Sequence, residues 1–377
     1  MTDAQDPSLL IISFSPVARD ARILKQIALL REDYRITTCG YGPAPEGVHE
    51  HVEVPERTIN RVNGKLAALR QFRRVYWSQQ GPAWARDHLR GTWDVVIAND
   101  ADTVLLAFEI APPERVHVDL HEFFPALHAQ NPTWRRFVSP YFRWLVRRHV
   151  SRAASVSTVS AAIAREYRRL VGHDVLVVTN AAPHRADLEP MPVSSPIRLV
   201  HSGAALRNRD LALIVEATAL ARTDVTLDLY LAPNDPAYID ELREQGRKSG
   251  RVVVHDPVPY RDLADTLNAY DVGVHVLPPV NMNHELALPN KIFDYTQARL
   301  GLVVGPSVEM ADHVRTYGLG LVAGGFSAQD VAAAFDELTV DGVQEFKAAS
   351  HRIAREVGAE TVVEPWKSAV DAIARRG

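Results

Sequence analysis

Several features that define common protein classes are missing from the sequence. Its one cysteine, Cys39, excludes an internal disulfide and a cysteine-based zinc site. No apolar run approaches the roughly 18 residues that a membrane-spanning helix needs. The first residues are acidic and do not resemble the basic and then apolar start of a signal peptide. We therefore expect a cytoplasmic protein.

Sequence motifs of several α/β enzymes are missing as well. The chain has no G-x-x-x-x-G-K-[ST], no G-x-G-x-x-G after the first predicted strand, no G-x-S-x-G and no H-E-x-x-H. These absences argue against a P-loop NTPase, a dinucleotide oxidoreductase, a serine hydrolase and a zincin. No helix-turn-helix, RNA-binding-sheet or zinc signature is present either, so we expect no nucleic-acid partner.

The composition is that of a globular protein with more than one domain. Of its 377 residues, 46% are hydrophobic and 23% are charged. Short apolar runs alternate with helical patterns in both halves, and a proline-rich stretch interrupts the alternation. This pattern predicts two doubly wound α/β domains with parallel sheets, over 1–182 and 197–357, joined by a linker over 183–196.

Charge is distributed unevenly along the chain. The formal net charge of −4 combines +5 for residues 1–186 with −9 for residues 187–377, and residues 57–169 alone carry +9. Such an imbalance indicates that one half of the protein meets an anionic partner. A membrane, a nucleic acid and a small phosphate compound all fit this description.

The stretch Asn281–Tyr295 is the most informative for function. It follows a predicted strand, and Pro289 stands at the start of a helix expected over 290–299. The free backbone N–H groups and the positive dipole end of such a helix form a site for phosphate. Lys291 adds a positive charge in the first turn, and Asp294 can accept hydrogen bonds from ribose hydroxyl groups. The alternative is that Lys291 and Asp294 form only an exposed i,i+3 ion pair.

A second candidate phosphate site follows the strand expected over 197–201. Gly203 comes at the end of that strand and permits a close approach of the backbone. Arg207 or Arg209 can then bind a phosphate with two parallel hydrogen bonds. Arginine at a helix start opposes the helix dipole, which favours a bound anion over the alternative of two solvated arginines.

Two predicted strands of the first half end in polar residues. Asp100 and Asp102 follow one strand, and His121 and Glu122 follow the next, so all four are expected at one edge of the sheet. Asp100 and Asp102 match a D-x-D motif that holds a divalent metal in one fold of nucleotide-sugar enzymes. A helix N-cap before 102–110 also explains the aspartates, and we predict no metal. For His121 and Glu122, the alternative is a buried, hydrogen-bonded pair.

Arginine and aromatic residues are interleaved over 134–152 and, less regularly, over 70–77. Such a pattern suits a helix that lies at an anionic membrane surface. Nucleic acid is the competing target, and an ordinary helix with an arginine-rich outer face is the third possibility. We expect peripheral contact with the inner face of the cytoplasmic membrane through 134–152.

Six motifs in chain order resemble those of glycosyltransferase family 4, whose bacterial members have the GT-B fold. Leu288–Tyr295, followed by Gly301–Val304 and Glu309–Met310, looks like the family's "LPNK-F-E-Y … G-P-V-V … E-M" segment. The other similar segments are Arg19–Arg22, Asn99–Thr103, Asp119–Glu122, Val178–Asn180, and His201–Ala204 with Asn208 and Arg209.

The resemblance implies two Rossmann-like domains facing across a cleft, with the segment 358–377 packing back on the N-terminal domain. It also implies transfer of a sugar from a UDP- or GDP-linked donor, with retention and without a cofactor or an essential metal. The acceptor would be a glycan, a lipid-linked compound or a small molecule. The family thereby predicts a hexosyltransferase.

The resemblance also assigns roles to residues of this chain. Arg209 and Lys291 would bind the donor diphosphate, Asp294 the ribose, and the backbone of Leu286–Pro289 the sugar. The implied donor-binding set is Gly203, Arg207, Arg209, Leu288, Asn290, Lys291 and Asp294. Asp100, His121 and Glu122 would lie on the acceptor side, and the implied catalytic residues are His121, Arg209 and Lys291.

The sequence departs from the family pattern at three places. Leu286 stands where members commonly have a glutamate that contacts the sugar. The ribose-binding glutamate is shortened to Asp294, and the loop Ser15–Asp20 lacks paired glycines. Two alternatives therefore stay open: a nucleotide-sugar 2-epimerase of similar fold, and a non-catalytic subunit or scaffold.

Overall fold

A computed structural model describes residues 6–56, 58 and 61–376. The chain divides into two compact units. Unit 1 comprises Met1–Thr179, Asn281–Asn283 and Val363–Gly377, and unit 2 comprises Asn180–Val280 and His284–Val362. The end of the chain therefore belongs to the same unit as its first half. Among the described residues, no helix is long and apolar enough to cross a bilayer.

The described residues of unit 1 form a parallel seven-stranded sheet with helices between the strands. The strands are β1 (Ser8–Pro16), β2 (Arg35–Tyr41), β3 (Glu50–Val54), β4 (Val95–Asn99), β5 (Val116–Leu120), β6 (Ser155–Thr158) and β7 (Leu176–Val177). The helices are α1 (Ala21–Leu30), α2 (Gly64–Ala68), α3 (Phe72–Trp77), α4 (Gln80–His88), α5 (Val104–Ile110), α6 (Pro132–Phe137), α7 (Ser139–Arg148) and α8 (Ala161–Val171). The strand order is β3-β2-β1-β4-β5-β6-β7.

In unit 2, the described residues form a parallel six-stranded sheet. Its strands are β8 (Ile197–Ala204), β9 (Val225–Ala232), β10 (Val252–His255), β11 (Val272–His275), β12 (Gly301–Val304) and β13 (Gly320–Val322). The helices are α9 (Leu211–Leu220), α10 (Pro236–Ser249), α11 (Tyr260–Asn268), α12 (Met282–Glu285), which begins in unit 1, α13 (Asn290–Gln297), α14 (Val308–Tyr317), α15 (Ala328–Asp336), α16 (Val340–Ile353) and α17 (Ala359–Val362). The strand order is β10-β9-β8-β11-β12-β13.

The composition of the strands explains the layered packing. Every residue of β4 and of β12 is buried, as continuous apolar runs require when helices cover both faces of a parallel sheet. In both sheets the strand order reverses direction next to the first strand of the unit, where doubly wound sheets bind ligands at the carboxyl ends of the strands. The predicted α/β architecture with two parallel sheets is confirmed.

The last helix, α18 (Glu364–Ala374), packs on unit 1. Trp366, Val370 and Ile373 are buried, and their spacing places them on one helical face. Val370 and Ile373 join the apolar core around β1 and β4. An ion pair also holds this helix against unit 1, since Lys367 Nζ lies 2.8 Å from Asp33 Oδ2.

Candidate functional site

Lys291 and Gly203 meet at the carboxyl end of the unit 2 sheet. Lys291 lies in the first turn of α13, which Pro289 precedes at the N-cap position. Gly203 lies near the end of β8 with φ +147°, and a Cβ atom added there would stand 2.5 Å from Lys291 Nζ. The missing side chain of Gly203 therefore makes room for the Lys291 ammonium. Asp294 is only 9% exposed, so these residues do not form an exposed surface ion pair.

Two buried histidines lie beside this lysine. His201 and His275, on the neighbouring strands β8 and β11, stack with ring centroids 5.7 Å apart and planes 17° from parallel. His201 Nδ1–H donates to the Val274 carbonyl at 2.8 Å. Within the described residues, His201 Nε2 and both ring nitrogens of His275 are buried without a hydrogen-bond partner. Buried polar atoms are normally paired, so these three nitrogens indicate a site shaped for a ligand.

The charges around the histidines are all positive. Burial, Lys291 and Arg209 lower the pKa of His201 to about 3 and that of His275 well below its ordinary value. Burial and Arg209 lower the pKa of Lys291 to about 8, although Asp294 partly opposes the shift. Burial also lowers the pKa of Arg209. The two histidines are therefore neutral near pH 7, and Lys291 and Arg209 supply the positive charge that a bound anion would stabilise.

Neither Lys291 nor Arg209 forms an ion pair with a carboxylate in the parts of the chain that the structure describes. We call the cations Arg209 and Lys291, together with the two neutral histidines His201 and His275 beside them, the cationic cluster. Two desolvated cations without a counterion are unfavourable in a folded protein unless a ligand supplies the negative charge. An anion with several oxygen acceptors, such as a diphosphate, fits this arrangement.

Arg207 belongs to a different environment from Arg209. Its Nη1 and Nη2 donate to the Glu241 carboxylate at 2.9 and 2.7 Å, and its Nε donates to Asp235 at 3.1 Å. The guanidinium also lies over the ring of Tyr238. The geometry thus brings Arg209, and not Arg207, to the cationic cluster. Leu288 packs into the apolar core and Asn290 is exposed at the start of α13.

A cavity of about 280 Å³ is lined in part by residues of α13. Asp294 contributes to its wall, together with a mainly apolar lining. The lining residues are Ala182, Pro183, Arg185, Tyr260, Arg261, Leu263, Ala264, Asp294 and Gln297. A flat heterocycle can be enclosed by such a wall while the carboxylate accepts hydrogen bonds from neighbouring hydroxyl groups. Sequence reasoning did not find this cavity, because three separate segments form it.

In unit 1, His121 lies between two carboxylates. Its Nδ1 is 3.3 Å from Asp100 Oδ2, and its Nε2 is 3.3 Å from Asp119 Oδ2 without hydrogen-bond alignment. Burial disfavours the charged ring, but Asp100 and Asp119 outweigh it and raise the pKa of His121. The side chain of Glu122 is exposed and does not pair with His121, so the buried-pair alternative does not describe this edge.

Asp100 and Asp102 occupy the turn between β4 and α5. Asp100 has a φ of +67°, and its Oδ1 accepts a hydrogen bond from the His121 backbone N–H at 2.9 Å. The helix begins at Val104 with Thr103 at its N-cap, so Asp102 does not cap it. Burial and Asp100 raise the pKa of Asp102 to about 7. Among the described residues, no group of three or more histidine, cysteine or acidic side chains is placed to hold a metal ion.

Comparison with solved structures identifies the fold. HepE from Anabaena, in complex with UDP-glucose, superimposes with a TM-score of 0.65 at 16% identity and covers 98% of this chain and 99% of that chain. Sucrose-phosphate synthase from Thermosynechococcus elongatus gives 0.71 at 11% identity, with 98% and 100% covered. The fold is GT-B. 

A further GT-B neighbour is the α,α-trehalose 6-phosphate synthase from Burkholderia multivorans, with a TM-score of 0.68 at 11% identity. It covers 99% of this chain and 100% of that chain. By contrast, no protein-family profile matches the sequence, and no curated protein matches it. The likeness to GT-B proteins therefore rests on structure alone. At sequence identities of 11% and 16%, it shows a shared fold.

Proposed function

We propose that the protein is a glycosyltransferase that moves a hexosyl group from a nucleotide-diphosphate donor, UDP-linked in the first instance, to an acceptor. The observation that carries this proposal is the cationic cluster, whose two half-buried cations, Lys291 and Arg209, form no ion pair with a carboxylate among the described residues. HepE, a structural neighbour of the whole chain, is seen with UDP-glucose. Other neighbours are sugar-phosphate synthases by name, which favours transfer over the epimerase and scaffold alternatives.

We assign the parts of the donor to unit 2. The diphosphate would bind at Lys291 and Arg209, and the nucleoside would enter the 280 Å³ cavity with its ribose hydroxyl groups on Asp294. In the reaction, the bond from the sugar C1 to the diphosphate oxygen breaks, a bond to the acceptor oxygen forms, and the proton of the acceptor hydroxyl passes to an oxygen of the leaving diphosphate. Negative charge grows on the leaving diphosphate, and the two cations stabilise it.

This charge stabilisation supports a metal-independent reaction, because Lys291 and Arg209 already supply two positive charges at the leaving group. Retention of configuration is part of the proposal through the family resemblance. The acceptor, whether a glycan, a lipid-linked compound or a small molecule, would bind unit 1, where His121, Asp100 and Glu122 lie at the carboxyl edge of the sheet.

A thermal-shift screen across UDP, GDP and their sugars tests the proposal. We expect a nucleoside diphosphate to raise the melting temperature of the wild type and of Arg207→Ala, but not of Arg209→Ala. The two arginines are two residues apart, and Arg207 is held by Glu241, so Arg207→Ala is a matched control for the loss of an arginine. Equal shifts in both variants, or no shift with any nucleotide, would contradict the assignment.

We further propose that unit 1 associates peripherally with an anionic membrane on the cytoplasmic side. Residues 61–77 and 129–152 contain 11 lysines and arginines and no acidic residue. The structure joins these segments, because the Phe72 and Trp144 rings lie 5.7 Å apart. Arg70, Arg73, Arg74, Arg136 and Trp144, which we call the arginine surface, line two adjacent depressions. Leu69, 68% exposed, offers an apolar contact at its border.

Co-sedimentation with vesicles tests this association. We expect binding to vesicles that contain phosphatidylglycerol, none to pure phosphatidylcholine, and loss of binding at about 0.5 M salt. Charge reversal by Arg70→Glu with Arg136→Glu should abolish binding, whereas Arg247→Glu on unit 2 serves as the control. Equal binding of the two variants, or preference for nucleic acid over anionic vesicles, would overturn the proposal.

A further inference from the structure

A buried polar network links the C-terminal helix of unit 1 to the carboxylate beside His121. Its centre is Arg22 on α1, which is 4% exposed. Arg22 Nε and Nη2 donate to the two oxygens of Asp119 at 2.6 and 2.7 Å, and Nη1 donates to the Val178 carbonyl at 2.8 Å. A bidentate guanidinium fixes the plane of a carboxylate as well as its position.

Trp366 on α18 touches two of the groups that hold Asp119, Arg22 and Ser157. Its indole ring lies under the Arg22 guanidinium, 4.4 Å from the ring centroid. Its Nε1–H donates to Ser157 Oγ at 3.0 Å, and the Ser157 hydroxyl donates in turn to Asp119 Oδ1 at 2.5 Å. His117, kept neutral because burial lowers its pKa to about 4, contacts the same hydroxyl at 2.9 Å. The hydrogen bond from Trp366 thus leads through Ser157 to Asp119.

Several contacts besides this polar chain hold α18 in place. Val370 and Ile373 anchor the helix in the apolar core, and Lys367 pairs with Asp33. The Tyr34 hydroxyl donates to Asp371 at 2.7 Å. A buried tryptophan N–H directed at a serine–aspartate pair, on a helix already anchored by other contacts, therefore indicates a role beyond docking.

That role follows from the position of His121. The Arg22 charge and hydrogen bonds outweigh burial and hold the pKa of Asp119 far below its usual range, so Asp119 is ionised. The charged groups that act on His121 are Asp119, Asp100, Asp102, Glu122 and Arg22. Asp119 on one side and Asp100 on the other flank the imidazole ring and stabilise its positive charge.

We propose that Arg22 and Trp366 are positioning residues of the transfer reaction, which hold the Asp119 carboxylate beside His121 and thereby set the imidazole ring assigned to the acceptor side. The inference rests on the proposed function only for the role of His121 in transfer. The C-terminal helix α18 then contributes to the transfer reaction through Asp119. Among the described residues, no residue of α18 forms a hydrogen bond or an ion pair with His121.

Trp366→Phe is the direct test, since phenylalanine keeps an aromatic face for Arg22 and removes the N–H donor, together with ring volume that the control variant below also loses. The pKa of His121 can be measured by NMR without a substrate. We expect this pKa to fall by about one unit, because Asp119, without the hydrogen bond that reaches it through Ser157, is no longer held beside the imidazole ring. Release of UDP from UDP-glucose should slow about tenfold in kcat with an unchanged KM for the donor. Trp93→Phe, at another buried tryptophan of unit 1, is the matched control.

Ser157→Ala provides a second variant that leaves the Trp366 ring in place, so misfolding of one variant does not decide the outcome. We expect the same fall in the His121 pKa. An unchanged His121 titration in both folded variants would overturn the positioning role even if the enzyme turns over its donor. Failure of the wild type to release UDP from any donor would instead contradict the proposed function, while the NMR titration would still decide the network.

Discussion

Lys291 is held in an environment that disfavours its own charge. Its pKa lies near 8, below the ordinary 10.5, because burial and Arg209 oppose protonation. Since the folded pKa is lower than the unfolded one, the ammonium destabilises the unliganded fold at pH 7. Lys291→Met is therefore expected to raise the free energy of unfolding by about 1–3 kcal/mol while it removes nucleotide binding. Urea denaturation checks the first effect, and an unchanged or lower stability would contradict it.

The same lysine predicts how donor binding depends on pH. UDP-glucose is the suitable probe, because its diphosphate has no group that titrates near neutrality. Lys291 loses its proton as the pH rises through about 8, so affinity should be nearly constant between pH 6.5 and 7.5 and fall by up to about tenfold per unit above 8. Calorimetric titration across this range measures the effect. Lys291→Arg should retain binding and lose the alkaline fall, and a wild type without that fall would count against the role of Lys291.

Gly203 is predicted to be intolerant of a side chain. At φ +147° an L-residue is strained, and a Cβ would stand 2.5 Å from Lys291 Nζ. Gly203→Ala should cost about 1–3 kcal/mol of stability and displace Lys291, with loss of nucleotide affinity. Gly324→Ala is the control in unit 2, because its nearest neighbour would be 3.8 Å away and its φ is ordinary. If the two variants had equal free energies of unfolding and equal nucleotide affinities, the absence of a side chain at Gly203 would not be what makes room for Lys291.

At the scale of elements, α18 couples the end of the chain to the core of unit 1. Ending the chain after residue 362 removes Trp366, Val370 and Ile373 from that core. We expect the hydrogen exchange of backbone amides to accelerate in β1 and β4, because the truncation would expose the core residues of these strands. Exchange in the unit 2 sheet should stay unchanged. Acceleration of equal size in both sheets would indicate that α18 stabilises the protein in a different way.

The strands and helices differ in how far the sequence predicts them. Continuous apolar runs such as Val95–Ala98 predict buried strands well, because a short, fully apolar run rich in β-branched residues is typical of a strand covered on both faces. The edge strand β3 was not predicted, since Glu50–Val54 is mostly polar and only its last residue is fully buried. Helix ends differ from expectation by a few residues, as at α5, where the turn through Asp100 delays the start to Val104.

The candidate site shows the same limits. Local motifs point to Gly203, Lys291 and Asp294, because a strand end and a helix start carry recognisable residue patterns. They do not separate Arg209 from Arg207, since the difference is an ion pair with Glu241 on another helix. His275 and Trp366 were not singled out either. Their roles depend on strands and helices that are distant in sequence, and a single sequence gives no signal for such neighbours.

At the scale of the whole molecule, the uneven charge now has a physical interpretation. The second half carries −9, yet the site proposed for an anionic donor lies in it. Attraction of the donor must therefore be local, from Lys291 and Arg209 in a desolvated site where screening is weak. The positive charge of the first half is exposed on the arginine surface, so salt should weaken vesicle binding much more than donor binding.

Calorimetric titration of UDP-glucose into the intact chain tests the central claim most directly. We predict saturable binding at one site per chain for the wild type and for the control Lys248→Ala, whose ammonium lies exposed on α10. Affinity should fall by about tenfold or more in Lys291→Ala, because a charge-assisted contact to the diphosphate is lost. Equal affinities of the two lysine variants, or no binding of any nucleoside diphosphate at about 1 mM, would contradict the account.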